Sequence, residues 1–163
     1  VSESYFADQE ETMSCPETES FVKDWNRIHK QTARALAAAP GDKFDWKPGD
    51  GMFTLRQLVT HLPNAEAAIV RSALAGSMQQ VSLELDSATV EDIVEKFNSS
   101  HSALVEEVST LSLDQLNEIV EAFGRQMPRI VLLRAMLEHE IHHRGQLYTY
   151  LRLAGIEPPA LYG

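Results

Sequence analysis

An all-α four-helix bundle is the fold class this sequence predicts, on three observations. Apolar residues recur at spacings of three and four through four long segments, which is the period of an amphipathic helix. No segment sustains the apolar-polar alternation of a half-buried strand, and glycine or proline separates each long segment from the next. A chain of 163 residues fits one domain, large enough to bury roughly two-thirds of the surface that its unfolded form exposes.

Up to about Thr18 the composition is polar and acidic without periodicity, so residues 1–18 read as a flexible arm and residues 19–163 as the bundle domain. Phe21, Trp25, Ile28, Thr32 and Leu36 mark the first helix, from about Glu19 to Ala39, and Pro40-Gly41 ends it. The stretch Asp42 to Met52 reads as a loop anchored by Phe44 and Trp46. The second helix opens at Thr54, where Thr-Leu-Arg-Gln matches a capping box, and Leu55, Leu58, Leu62, Ala65 and Ile69 form its buried stripe up to Gly76. Pro63 lies inside that pattern, and its missing N–H predicts a kink or restart near His61.

A third helix begins near Thr89 and buries Val90, Val94, Phe97, His101, Leu104, Val108 and Leu111. A short helical piece, Leu113 to Val120, follows it. Gly124 then interrupts, Pro128 stands at a first helical position, and the last helix runs to about Ala154, capped by Gly155 and stopped by Pro158-Pro159. The linker from Gly76 to Ala88 is longer than antiparallel neighbours need. Extended, it reaches roughly 40 Å, enough to run back along a helix, so helices two and three are expected to be parallel.

The balance of 14 basic against 24 acidic side chains, a formal charge of −10, repels phosphate backbones and anionic bilayers, so neither nucleic acid nor membrane is expected as a partner. No apolar run reaches membrane-spanning length, and Val1 to Ser20 is acidic where a signal peptide would be basic and then apolar. With Cys15 as a lone, leftover thiol, the expected location is the reducing cytoplasm.

The last helix carries His139-Glu140-Ile141-His142-His143-Arg144-Gly145-Gln146. His139 and His143 fall about 40° apart on one helix face, one turn along the axis, where two imidazoles can chelate a divalent ion. His61, at the edge of the second helix's stripe, is free to supply a third nitrogen. His142 is turned roughly 100° from His143 and reads as a surface, interface or supporting residue, although a His139/His142 pair remains open. His29 and His101 read as hydrogen-bonded core histidines. The same five residues satisfy H-E-x-x-H, the zinc-protease pattern. The remainder of that site is absent, since Gly145 follows too soon and no later histidine exists.

Phe53-Thr54-Leu55-Arg56-Gln57-Leu58-Val59-Thr60-His61-Leu62, the segment His139 to Leu147, and Gly155-Ile156-Glu157-Pro158-Pro159 ending in Tyr162-Gly163 resemble the DinB/YfiT-like superfamily of small bacterial helix bundles. The likeness covers about Glu19 to Gly163. It implies up-down-down-up topology, a homodimer, and one divalent ion held by His61, His139 and His143, with Pro63 a departure close behind the first ligand. It also implies activities of several kinds, among them thiol-dependent S-transfer using bacterial low-molecular-weight thiols, isomerisation and hydrolysis.

Three neutral imidazoles leave the ion's charge and some coordination positions free, unlike a closed structural site. Bound water would be acidified or a thiol bound as thiolate. Zinc or nickel is the expected occupant. Glu140 and Arg144 are the weak catalytic candidates: Glu140 is expected in a solvated or supporting role, and Arg144 as an anion-attracting group or an ion-pair partner of Glu140. The reading is a metal-dependent enzyme, a thiol S-transferase or hydrolase, acting on a small molecule with a low-molecular-weight thiol as co-substrate. Its alternatives are a non-catalytic bundle with a structural or sensory metal and a protein-interaction role, and a metal-free core in which the histidines share protons.

Overall fold

A computed structural model of the chain describes residues 15–162. Four long helices, α1 (Pro16–Ala37), α2 (Leu55–Ala75), α3 (Val90–Val108) and α5 (Arg129–Leu153), are accompanied by a short helix α4 (Leu113–Asn117) and a hairpin of β1 (Ile119–Ala122) and β2 (Arg125–Pro128). The expected arm lies outside the described residues up to residue 14. α1 starts earlier than its apolar stripe indicates because Pro16 occupies the first turn, where its missing N–H costs nothing. Thr18 in that turn is buried and donates to the Leu111 carbonyl at 2.8 Å.

Cross-helix contacts give the topology. Along α1 and α3, Thr18 meets Leu111, Asn26 meets His101 and His29 meets Asn98; one number rises as the other falls, so the pair is antiparallel. Along α2 and α3, Arg56 reaches Ala88, Glu66 reaches His101 and Arg71 reaches Glu107, so these two run parallel. α2 and α5 are antiparallel, with Tyr150 at Phe53, His139 at His61 and Arg129 at Ala73. The bundle is therefore up-down-down-up. Its crossover is the linker after Gly76, whose Gln79 N–H bonds to Ser72 Oγ and whose Leu83 N–H bonds to Asn64 Oδ1 on the way back down α2.

Thr54 and Gln57 form both halves of the capping box at 3.1 and 2.8 Å, and α2 runs unbroken through Pro63 with no restart at His61. The expected helix through Val120 stops instead at Asn117. Ile119–Ala122 pairs antiparallel with Arg125–Pro128, around Phe123 and Gly124 with φ of 53° and 69°, the left-handed pair that a tight hairpin turn requires. Four-residue strands are too short to register as alternation, and Val120 and Ala122 are the positions turned into the core.

The core is divided in two. One apolar cluster gathers around Trp25, Val70, Leu104 and Leu133, the other around Leu36, Leu58, Phe97 and Leu151. Between them lies a buried polar layer of His29, Glu66, His101, Glu140 and Arg144.

Candidate metal centre

α2 and α5 cross where His61 faces His139 and His143. The Nε2 atom of His61 is 3.2 Å from Nε2 of His139 and 3.2 Å from Nε2 of His143, and the three rings are tilted against one another by 58° to 75°. Ligand nitrogens at about 2.1 Å from a tetrahedral ion stand about 3.4 Å apart, so the two spacings from His61 suit a shared cation, and all three ligand atoms lie within 4.8 Å of one another. His143 Nδ1–H donates to Gln146 Oε1 at 2.7 Å. That bond turns the Nε2 lone pair toward the centre, as an outer partner of a metal-bound imidazole does. Burial, followed by the neighbouring imidazoles, pushes His139 down to about 4, and burial followed by His143 lowers His61, so both rings are neutral and able to donate a lone pair at pH 7. His142 lies outside the triad, exposed, with Nε2 3.1 Å from the Gln146 amide nitrogen.

Glu140 and Arg144 do not reach this centre, and the expectation of a solvated Glu140 is corrected; Arg144 makes no close ion pair with it among the described residues, although each charge favours the other. α5 packs on α1 as well as on α2, and the rotation of roughly 100° between His139 and Glu140 carries the carboxyl into the polar layer of the core. Glu140 is 2% exposed; among the described residues its oxygens make no close hydrogen bond, and its favourable neighbours are the Thr32 hydroxyl and the charges of His29 and Arg144. Burial, with the charge of Glu66 adding to it, raises its pKa to about 7. The Arg144 guanidinium donates to the Ile28 carbonyl and to Gln31 Oε1 at 3.3 and 2.9 Å, bracing α5 against α1.

A second group, His29, Glu66 and His101, also brings potential ligand atoms together, and sequence reasoning missed Glu66. Its stripe position, four residues after Leu62 and three before Ile69, was the available signal. This group does not suit an ion. The two imidazoles stack at 3.6 Å with only 12° between their planes, so one cation cannot lie in the plane of both rings, where their lone pairs point. What it forms is a buried hydrogen-bond network. Glu66 Oε1 accepts from Trp25 Nε1–H at 2.7 Å and from His101 Nδ1–H at 2.8 Å, while Asn98 and Asn26 hold the Nε2 atoms of His29 and His101. Burial drives the Glu66 carboxyl up, and its histidine contacts outweigh that and leave it below the usual carboxylate range. His29 is correspondingly raised, burial being overcome by Glu66.

The model of the DinB family matches residues 13–163, nearly the whole chain. The chain belongs to the DinB family. Two Bacillus subtilis proteins are similar to it in sequence: YjoA, 26% identical over 78% of this chain and 84% of its own length, and YrdA, 26% identical over 88% of this chain and 86% of its own. Among solved structures, a DinB-like protein from Bacillus cereus superposes with a TM-score of 0.75 at 24% identity, covering 88% of this chain and 97% of the other. A DinB family member from Exiguobacterium sibiricum gives 0.70 at 16%, covering 91% and 99%. These likenesses establish the bundle fold of this DinB protein. No helix among its described residues is long and apolar enough to cross a membrane.

Proposed function

We propose that this DinB protein holds one divalent metal ion, zinc or nickel, through His61, His139 and His143 and acts as a metal-dependent enzyme on a small molecule, by thiol transfer or by hydrolysis. The observation that carries the reading is the meeting of three Nε2 atoms, 3.2 Å from His61 to each of its partners, at half-buried positions of which His143 lines a cavity. A structural ion is usually closed off by four protein ligands. Here the donors are three and one side is open. When bound, the ion supplies a Lewis acid that acidifies water or a thiol at neutral pH.

The chain's own contributions are separable. His61 comes from a helix pinned at its start by the Thr54 cap, and the other two imidazoles come from adjacent turns of α5. Gln146 fixes the tautomer of His143. Arg144 braces α5 against α1, and neither it nor Glu140 is assigned a part in the chemistry. The test compares metal-loaded and metal-stripped protein for conjugation of an electrophile with a small thiol and for cleavage of activated esters. Turnover by the loaded form, abolished by His143→Ala with an unchanged helical circular dichroism signal, supports the reading. Metal-loaded protein inert in both reactions, with no exchangeable ligand on the ion, contradicts it.

A further inference from the structure

Beside the triad, the coil before α2 and one face of α5 enclose a cavity of about 460 Å³, in the range of pockets that take small organic ligands. The α5 wall carries His143, Gln146, Thr149 and Tyr150, and the coil adds Gly51, Met52 and Phe53. Each polar side chain on the wall already commits a donor or a lone pair within the protein. Gln146 accepts from His143 and turns its amide nitrogen to His142. The Thr149 hydroxyl donates to the Gly145 carbonyl and the Tyr150 hydroxyl to the Phe53 carbonyl, at 3.3 and 3.1 Å. What is left over for a ligand on these side chains is lone pairs, which repel anions, and the second N–H of the Gln146 amide.

Among the described residues, no lysine or arginine lines the cavity. Arg144 is committed to α1, and Arg56 lies over the Phe44 ring at 4.3 Å and donates to the Ala88 carbonyl. The chain's net charge of −10 adds to the repulsion of anions. The apolar side of the cavity is held open by the fold. Met52 and Phe53 are each 45% exposed, while the coil beneath them is fastened by buried Phe44, by the Leu55 N–H to Trp46 carbonyl bond at 2.8 Å and by the edge-on contact of Trp46 with Tyr150. The Phe53 ring is 5.9 Å from the His61 ring, so the apolar rim reaches the triad itself.

We propose that this cavity is the substrate subsite of the metal centre and that it selects uncharged ligands with an apolar body and one metal-seeking head group, a neutral thiol being the simplest, over thiols that carry carboxylates. The inference rests on the metal reading above and adds to it a class of substrate, with Met52 and Phe53 as the residues that determine specificity.

Cobalt(II)-loaded protein tests it, because thiolate binding to cobalt produces a charge-transfer band that reports occupancy without turnover. Titration with benzyl mercaptan is expected to half-saturate that band at a concentration at least about tenfold lower than mercaptosuccinate requires, the effect of burying part of one phenyl face. Phe53→Ala should shrink the preference several-fold, and Met52→Lys should shift it toward mercaptosuccinate. Both side chains are on the rim, so neither change threatens the fold. Equal affinity for the two thiols, or a preference untouched by both variants, overturns the inference while leaving the metal site standing. Cobalt that fails to bind, or binds equally to a His143→Ala variant, overturns the metal reading and the inference with it.

Discussion

His139 and Glu140 are neighbours in the chain and belong to different chemistry. The imidazole stands 3.2 Å from His61 at the edge of α2, while the carboxyl next to it is buried in the polar layer with no close hydrogen bond among the described residues. Glu140→Met is therefore expected to leave metal affinity within about twofold and to stabilise the fold by about 1–2 kcal/mol, since it removes a buried polar group that its neighbours offset only weakly. Urea denaturation and a chelator competition check the two halves. A tenfold loss of metal affinity would place Glu140 at the centre after all.

Gln146 acts one bond away from the ion position. Replacing it with Leu removes the acceptor for His143 Nδ1–H and should weaken metal binding about 10- to 100-fold with little change in stability. Gln146→Glu should retain binding, because a carboxylate accepts the same proton. Calorimetric titration of the apo-protein separates these outcomes.

The Glu66 network should make stability depend on pH in a bounded window. His29 is raised from 6.5, so its contribution is full below 6.5 and fades as pH rises through the higher folded value. Glu66 is lowered from 4.5, so its contribution is full above 4.5 and fades as pH falls through the lower folded value. The network is thus worth most between about 4.5 and 6.5. Glu66→Gln should cost about 3 kcal/mol there and flatten the profile on both sides. Urea midpoints measured across pH 4 to 9 check it, and parallel profiles for the two proteins would contradict it.

Thr54→Ala deletes one half of the α2 capping box and is expected to cost about 1 kcal/mol. His61 lies about two turns further along, within the packed part of the helix, so metal affinity should change little. Thermal unfolding with and without metal tests both expectations.

The four long helices, their crossover and the three histidines were legible because each depends on a pattern sustained over many residues or on a spacing local to one helix. The linker between α2 and α3 could be read from its length alone. The hairpin could not, because four residues per strand leave no period to detect. Placing Glu140 and Glu66 needed more than periodicity. A helix packed on two neighbours has two inward faces, and which partner each face meets is decided by topology. His29 and His101 sit on visible apolar stripes, yet only the antiparallel pairing of α1 with α3 stacks them together over Glu66.

The central claim is that imidazoles from α2 and α5 share one cation. Elemental analysis of protein purified without a histidine tag and exchanged against zinc or nickel should find one ion per chain. Variants His61→Ala and His143→Ala should each lose it while keeping their helical signal. Less than a tenth of an ion per wild-type chain, or full occupancy in both variants, would contradict the account.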